Sequence, residues 1–105
     1  MTDVRVVLVT VSSEAEGRRI AHALVERRLA ACVNVVPGVR SVYRWQGAVK
    51  EDQELLLVAK TREEHLAHVV RAVKELHSYA CPETIALPVV GGAEAYLGWV
   101  KEETT

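Results

Sequence analysis

The chain has 105 residues, 50% hydrophobic and 26% charged, and thirteen Lys and Arg against fourteen Asp and Glu leave a formal net charge of -1. That length supports one hydrophobic core and excludes two, and the balanced charge lacks the positive field that nucleic-acid or anionic-membrane binding needs. No apolar run nears the ~20 residues of a membrane span, and Met1-Thr2-Asp3-Val4-Arg5 has no basic stretch followed by an apolar one, so a cytoplasmic protein is expected.

Val4 to Val11 is nearly all apolar and β-branched and predicts a first strand. Ser13 with Glu16 three residues on forms a capping-box pattern, opening a helix with apolar positions Ile20, Ala21, Leu24 and Val25 that should end near Leu29 or Ala30. Cys32 to Val36 is strand-like again, Pro37-Gly38 marks an edge, bulge or bend, and the strand resumes to Trp45. Gln46-Gly47 turns the chain into Val49 to Thr61, polar in its first half and core-like over Leu55-Leu56-Leu57-Val58-Ala59.

Thr61 and Glu64 repeat the capping box ahead of Leu66, Val69, Val70, Val73, Leu76 and His77 at helical spacing. Pro82 stops the following loop, Thr84 to Val90 predicts a fourth strand, Gly91-Gly92 a turn and Ala93 to Lys101 a closing helix. Gly91-Gly92 lacks the glycine spacing of a phosphate-binding loop. Cys32 and Cys81 lie far apart without a CxxC, which reads as two reduced thiols rather than a disulfide framework or zinc knuckle.

The order βαββαβ with a terminal helix is the ferredoxin-like α+β plan, in which both helices pack on one face of an antiparallel sheet. In the first and third strands, however, both alternate sets of side chains are apolar. The second face should therefore be buried by other copies of the chain. A doubly wound sheet would need more helices than this length supplies. The third strand, at roughly 3.3 Å per residue, would run about 40 Å and should reach beyond its own subunit.

The pieces Ala30-Ala31-Cys32-Val33-Asn34, Pro37-Gly38, Ser41-Val42-Tyr43-Arg44-Trp45-Gln46-Gly47, Glu54 with Lys60-Thr61, His77-Ser78-Tyr79 with Pro82-Glu83, and Tyr96-Leu97-Gly98-Trp99 resemble the CutA divalent-cation tolerance family over nearly the whole chain. The resemblance implies a PII-like homotrimer with hairpins pairing across subunits, ligand clefts between subunits, and association with copper or another divalent cation. Some bacterial relatives carry a Cys at the end of the first strand and a His-His pair before the Tyr of the second-helix loop, ligands that suit copper. Here Val9 and Leu76-His77 stand at those positions, which leaves His77 alone and implies weak metal binding.

Each candidate residue also has a plain structural reading. His77 can pack on its helix and bond a C-terminal carbonyl, or serve as a weak metal ligand. His65 and His68 read as solvated, without a third ligand, and His22 has no evident partner. Tyr43 and Trp45 share a strand face that Lys60 should approach across the hairpin, lining either a ligand pocket or a subunit interface. Tyr79, Glu83 and Trp99 supply a phenol, a carboxylate and an indole that the family's cleft would bring near the hairpin. Cys32 reads as an inert thiol with no cationic neighbour, and Cys81, in a loop, as the more reactive one.

Four functions compete. The favoured one is a non-enzymatic trimer that binds metal or a small ligand at its clefts and acts in metal tolerance, with an unidentified protein or small molecule as a further partner. An acylphosphatase-like enzyme would need a phosphate-cradling loop after the first strand, where Ser12-Ser13-Glu14-Ala15-Glu16-Gly17 is acidic. A PII-like nucleotide sensor or regulator would need a longer displayed loop than Gln46-Gly47-Ala48, and single-strand nucleic-acid binding through Tyr43 and Trp45 is opposed by the charge balance.

Overall fold

The chain runs through β1 (Val4–Val11), α1 (Glu14–Glu26), β2 (Cys32–Trp45), β3 (Ala48–Arg62), a single 3-10 turn at Glu63–His65, α2 (Leu66–Leu76), β4 (Thr84–Pro88) and α3 (Glu94–Glu103), as described over residues 2–105 by a computed structural model. The strands form one sheet in the order β2-β3-β1-β4, every neighbouring pair antiparallel. This is the expected α+β ferredoxin-like arrangement with a C-terminal helix. No helix among the described residues is long and apolar enough to cross a membrane.

Local chemistry sets most boundaries. Ser13 is extended and its hydroxyl accepts the Glu16 amide at 3.2 Å, so the N-cap of α1 forms as predicted. The other half of that capping box does not form, because the Glu16 carboxylate turns to the chain after α2 instead. α1 ends at Glu26, short of Leu29: Arg28 takes a left-handed φ of 59°, and the amides of Leu29 and Ala30 both return to the Leu24 carbonyl.

The second predicted box also gives way. Thr61 is fully buried in β3, where its hydroxyl donates to the Leu29 carbonyl at 2.5 Å, and α2 begins through the 3-10 turn without a side-chain cap. A buried hydroxyl needs a partner within reach more than the helix needs its cap. β4 stops at Pro88 rather than Val90, since Pro has no amide proton to continue the ladder.

Alternation along the strands separates two faces. Val7, Val9 and Val11 on β1 and Leu57 and Ala59 on β3 meet Ile20 and Leu24 of α1 and Val69, Ala72 and Val73 of α2 in one buried core. Helix α1 lies close to the sheet at Gly17, where an added Cβ would come within 3.0 Å of Val11. A smaller cluster joins α3 to the sheet through Val100, Val4 and Ala31.

The opposite face carries Val4, Val6, Leu8, Val36, Leu56, Val58, Ile85 and Leu87; α1 and α2 leave it bare, and α3 reaches it at the Val4 end. β2 and β3 continue past the body of the sheet as a hairpin arm, with a bulge between Val36 and Val39 at Pro37-Gly38, where Gly38 has φ 78°. The arm gives the molecule a long dimension of 44 Å against widths of 25 and 23 Å.

Candidate functional site

At the root of this arm, on the bare face, lies an open cleft of about 790 Å³. Its walls are Tyr43, Trp45 and Lys50 from the arm, Glu54 from β3, Thr10 from the end of β1, and Tyr79, Cys81 and Glu83 from the loop after α2. The cleft exists because β4 begins only at Thr84, opposite Val9, so the sheet's last strand leaves the end of β1 uncovered and the loop 78–83 fills part of the gap.

Four hydrogen bonds fix that loop. The Glu16 carboxylate, 5% exposed, accepts the Ser78 amide at 2.6 Å and the Ser78 hydroxyl at 3.0 Å. His77 caps α2 and is enclosed in the fold. Its Nε2 bonds the Thr10 carbonyl at 2.7 Å and its Nδ1 accepts the Tyr79 amide at 3.1 Å, an arrangement met by the neutral ring protonated on Nε2. The Glu16 carboxylate stands a further 3.9 Å from Nδ1.

Thus held, Tyr79 extends its hydroxyl to donate to Glu54 at 2.7 Å. Burial, then the hydrogen bond to the Glu54 carboxylate, pushes the Tyr79 phenol well above its usual value of 10.0, with Ser12 partly offsetting the rise. On the arm, the Tyr43 hydroxyl donates to Asp52, which raises its phenol too. Glu54 is buried at 8% exposure, and among the described residues no cationic side chain pairs with it.

Of the residues anticipated from the sequence, Tyr43, Trp45, Tyr79 and Glu83 share this cleft. Lys60 and Trp99 do not. The hairpin register places Tyr43 opposite Lys50 and Lys60 opposite Cys32, ten residues or roughly 33 Å further along β3. The expected approach of Lys60 to Tyr43 within one chain is therefore corrected by register. Lys60 instead bonds the Asn34 side chain and lies 3.9 Å from the Cys32 sulfur, so Cys32 does have a cationic neighbour. Trp99 pairs with Tyr96 on α3, ring centroids 5.5 Å apart, at the far end of the sheet.

The other histidines and cysteines also find places. His77 bonds the carbonyl of Thr10 on β1, not one at its own helix end. His65 is tied to the Thr104 carbonyl at 2.5 Å beside Arg62 rather than solvated, and His22 lies 3.9 Å from Glu26 one turn along α1. Cys81 is exposed at the cleft wall. Among the described residues no group of three or more His, Cys, Asp or Glu side chains is placed to hold a metal ion. One chain alone does not offer a divalent cation a fitting donor set.

Sequence reasoning missed the site roles of Glu54 and Glu16. Glu54 had a signal of its own: it is the one carboxylate on β3 that adjoins the core-like run Leu55 to Ala59 on the cleft side. Glu16 was hidden inside a helix-capping pattern that explained it without any tertiary partner.

Fold and cleft together define a ferredoxin-like α+β protein with a projecting hairpin and with α1 and α2 on the same face of its sheet. The profile of the CutA1 divalent ion tolerance protein family matches residues 5–103, and the chain belongs to that family. It is 57% identical over 99 residues to the divalent-cation tolerance protein CutA of Thermus thermophilus, covering 94% of this chain and 96% of that one. It is 48% identical over 99 residues to the chloroplastic CutA of Arabidopsis thaliana, again covering 94% of this chain but 54% of the plant protein, so it spans about half of that relative's length. Among solved structures, the divalent cation tolerance protein of Thermus thermophilus superposes with a TM-score of 0.95 at 55% identity, covering 97% of this chain and 99% of that one. CutA1 of Oryza sativa gives 0.94 at 48% identity, covering 97% and 94%.

Proposed function

We propose that the chain works as a non-enzymatic homotrimer in divalent-cation tolerance, taking a metal ion or a small ligand in clefts formed at the hairpin arms. The observation that carries this reading is the bare sheet face, where Ile85 and Leu87 stand 52% and 45% exposed beside Val36 at 40%. Packing that face against copies of itself removes the patch from water, and the long arm supplies strand edge to reach a neighbour.

Assembly would also bring Lys60 and Trp99 to the cleft residues Tyr43, Trp45, Tyr79 and Glu83, from a second copy rather than from the same chain. Copper or another divalent cation would bind weakly. Cys81 and Glu83, exposed at the cleft, supply ligands from each copy, whereas His77 contributes only by giving up its bond to Thr10 or Tyr79. The name of the family supports a cation; no constellation in this chain selects copper among them.

Light scattering of the purified protein tests the assembly, and calorimetric titration with copper and zinc chlorides, on the parent and on Cys81→Ser, tests the ligands. The expected result is three times the single-chain mass of 11.6 kDa, with weak metal binding that falls in Cys81→Ser. A monodisperse monomer refutes the assembly, and metal binding unchanged in Cys81→Ser refutes the ligand assignment.

A further inference from the structure

Burying the bare face between copies confronts the charges that stand on it. The body of that face is apolar over Leu8, Leu56, Val58, Ile85 and Leu87, and the charged side chains on it are Glu54, Lys60 and Arg62 of β3. Arg62 is taken up beneath α3, by Glu64 at 2.6 Å and by Thr104. Glu54 and Lys60 have opposite signs but sit six residues apart along one strand, roughly 20 Å, so within one chain they cannot meet.

Each is held by neutral groups alone. Glu54 accepts the Tyr79 hydroxyl at 2.7 Å, while Lys60 bonds the Asn34 side chain and lies 3.9 Å from the Cys32 sulfur. Among the described residues neither forms an ion pair. In a single chain water reaches the half-buried Lys60. A contact that covers the face removes that water, and a charge so covered needs an opposite charge beside it.

The surroundings of the two charges differ as well. Tyr43, Trp45 and Tyr79 stand around Glu54. At the other end Tyr96 of α3 lies beside Cys32, the residue opposite Lys60, with the Trp99 ring 5.5 Å from it. The face therefore has an anionic end and a cationic end, each with its own aromatic rings.

We infer that the copies associate end to end, with the Lys60 ammonium of one copy paired to the Glu54 carboxylate of the next, and that this pair fixes the register of the assembly. This rests on the reading that the bare face is buried between copies, and it names the contact that keys them. Both groups have capacity to spare: Tyr79 occupies only Oε2 of Glu54, and Asn34 takes one of the three Lys60 donors. In a three-fold ring every contact joins unlike regions of surface, as two unlike ends require. The role of the pair is selection, since any other register leaves two charges covered and unmatched.

The test is light scattering over a dilution series on the full chain, on Glu54→Lys, on Lys60→Glu and on the double variant carrying both, with helical circular dichroism to verify the fold. Each single reversal is expected to dissociate at a concentration roughly tenfold or more above the parent's, and the double reversal to return to within a few-fold of it. Single reversals that assemble as the parent does, or a double variant no better than the singles, overturn the inference.

Should a reversal fail to fold, Lys60→Met removes the ammonium alone. It is expected to raise the dissociation midpoint by about tenfold, with recovery when Glu54→Gln is added, because neutralising both charges removes the mismatch. A midpoint equal to the parent's, or no recovery, overturns the inference. A trimeric parent with indifferent variants refutes only the pair, whereas a monomeric parent refutes the assembly and the pair together.

Discussion

Beneath the helices, Val7, Val9, Leu57 and Ala59 are at most 2% exposed, while across the same sheet Val36, Ile85 and Leu87 are 40%, 52% and 45% exposed. Both faces carry Val and Leu, although Thr10, Asn34, Glu54 and Lys60 interrupt the second. Two amphipathic helices have one apolar stripe each, enough to cover a single face of a four-stranded sheet. Hydrophobicity therefore identifies both faces as surfaces to be buried, and connectivity decides which one the chain buries by itself.

Substitutions on the two faces should separate these roles. Leu87→Glu on the bare face is expected to have the largest effect, on assembly: a carboxylate in an apolar contact between copies should reduce the mass seen by light scattering to that of one 11.6 kDa chain, with helical circular dichroism retained. Loss of the helical signal together with the mass would show that this face also supports the single-chain fold. On the covered face, Leu57→Ala is expected to cost about 2–5 kcal/mol in urea unfolding, by lost burial and the cavity left behind. A cost no greater than that of an exposed substitution would mean that the covered face is not the chain's own core.

Smaller effects belong to the contacts that hold the cleft loop. Glu16→Ala removes both acceptors of Ser78 and should cost about 1–3 kcal/mol in chemical denaturation, while displacing the Tyr79 amide resonance. An unmoved Tyr79 resonance would show that His77 alone suffices to place the loop.

Tyr79→Phe should cost about 1–2 kcal/mol at neutral pH by leaving Glu54 without its donor. It also has a pH signature. Because the phenol is raised in the fold above its usual 10.0, its stabilising contribution is complete below pH ~10 and is lost as the pH climbs from there through the folded value. Denaturation between pH 9 and roughly 11 should thus show a shallower alkaline decline in Tyr79→Phe than in the parent. Equal slopes would place the alkaline sensitivity elsewhere, with Tyr43 and Tyr96, both also raised, as the remaining sources.

Much of the fold was legible because its signals are local. Period-two and helical apolar spacing located all four strands and three helices, Ser13 marked the start of α1, and Pro37-Gly38 marked the bulge. The site was less legible. Tyr43, Trp45, Tyr79 and Glu83 were chosen for their chemistry and do share a cleft, but Lys60 was placed there by its position in the same hairpin, and register sends it to Cys32 instead. A shared hairpin fixes which strands pair; only the pairing register fixes which side chains are neighbours.

The sequence by itself determined the order of elements and the presence of two apolar sheet faces, since both follow from side-chain periodicity along a short stretch of backbone. Only the tertiary structure decided what became of the capping groups and the histidines. Glu16 left its own helix for Ser78, Thr61 bonded the Leu29 carbonyl, and His77 bridged β1 and the cleft loop. Each of these polar groups is buried, and a buried polar group takes whichever partner the packed fold brings within reach, however distant in sequence.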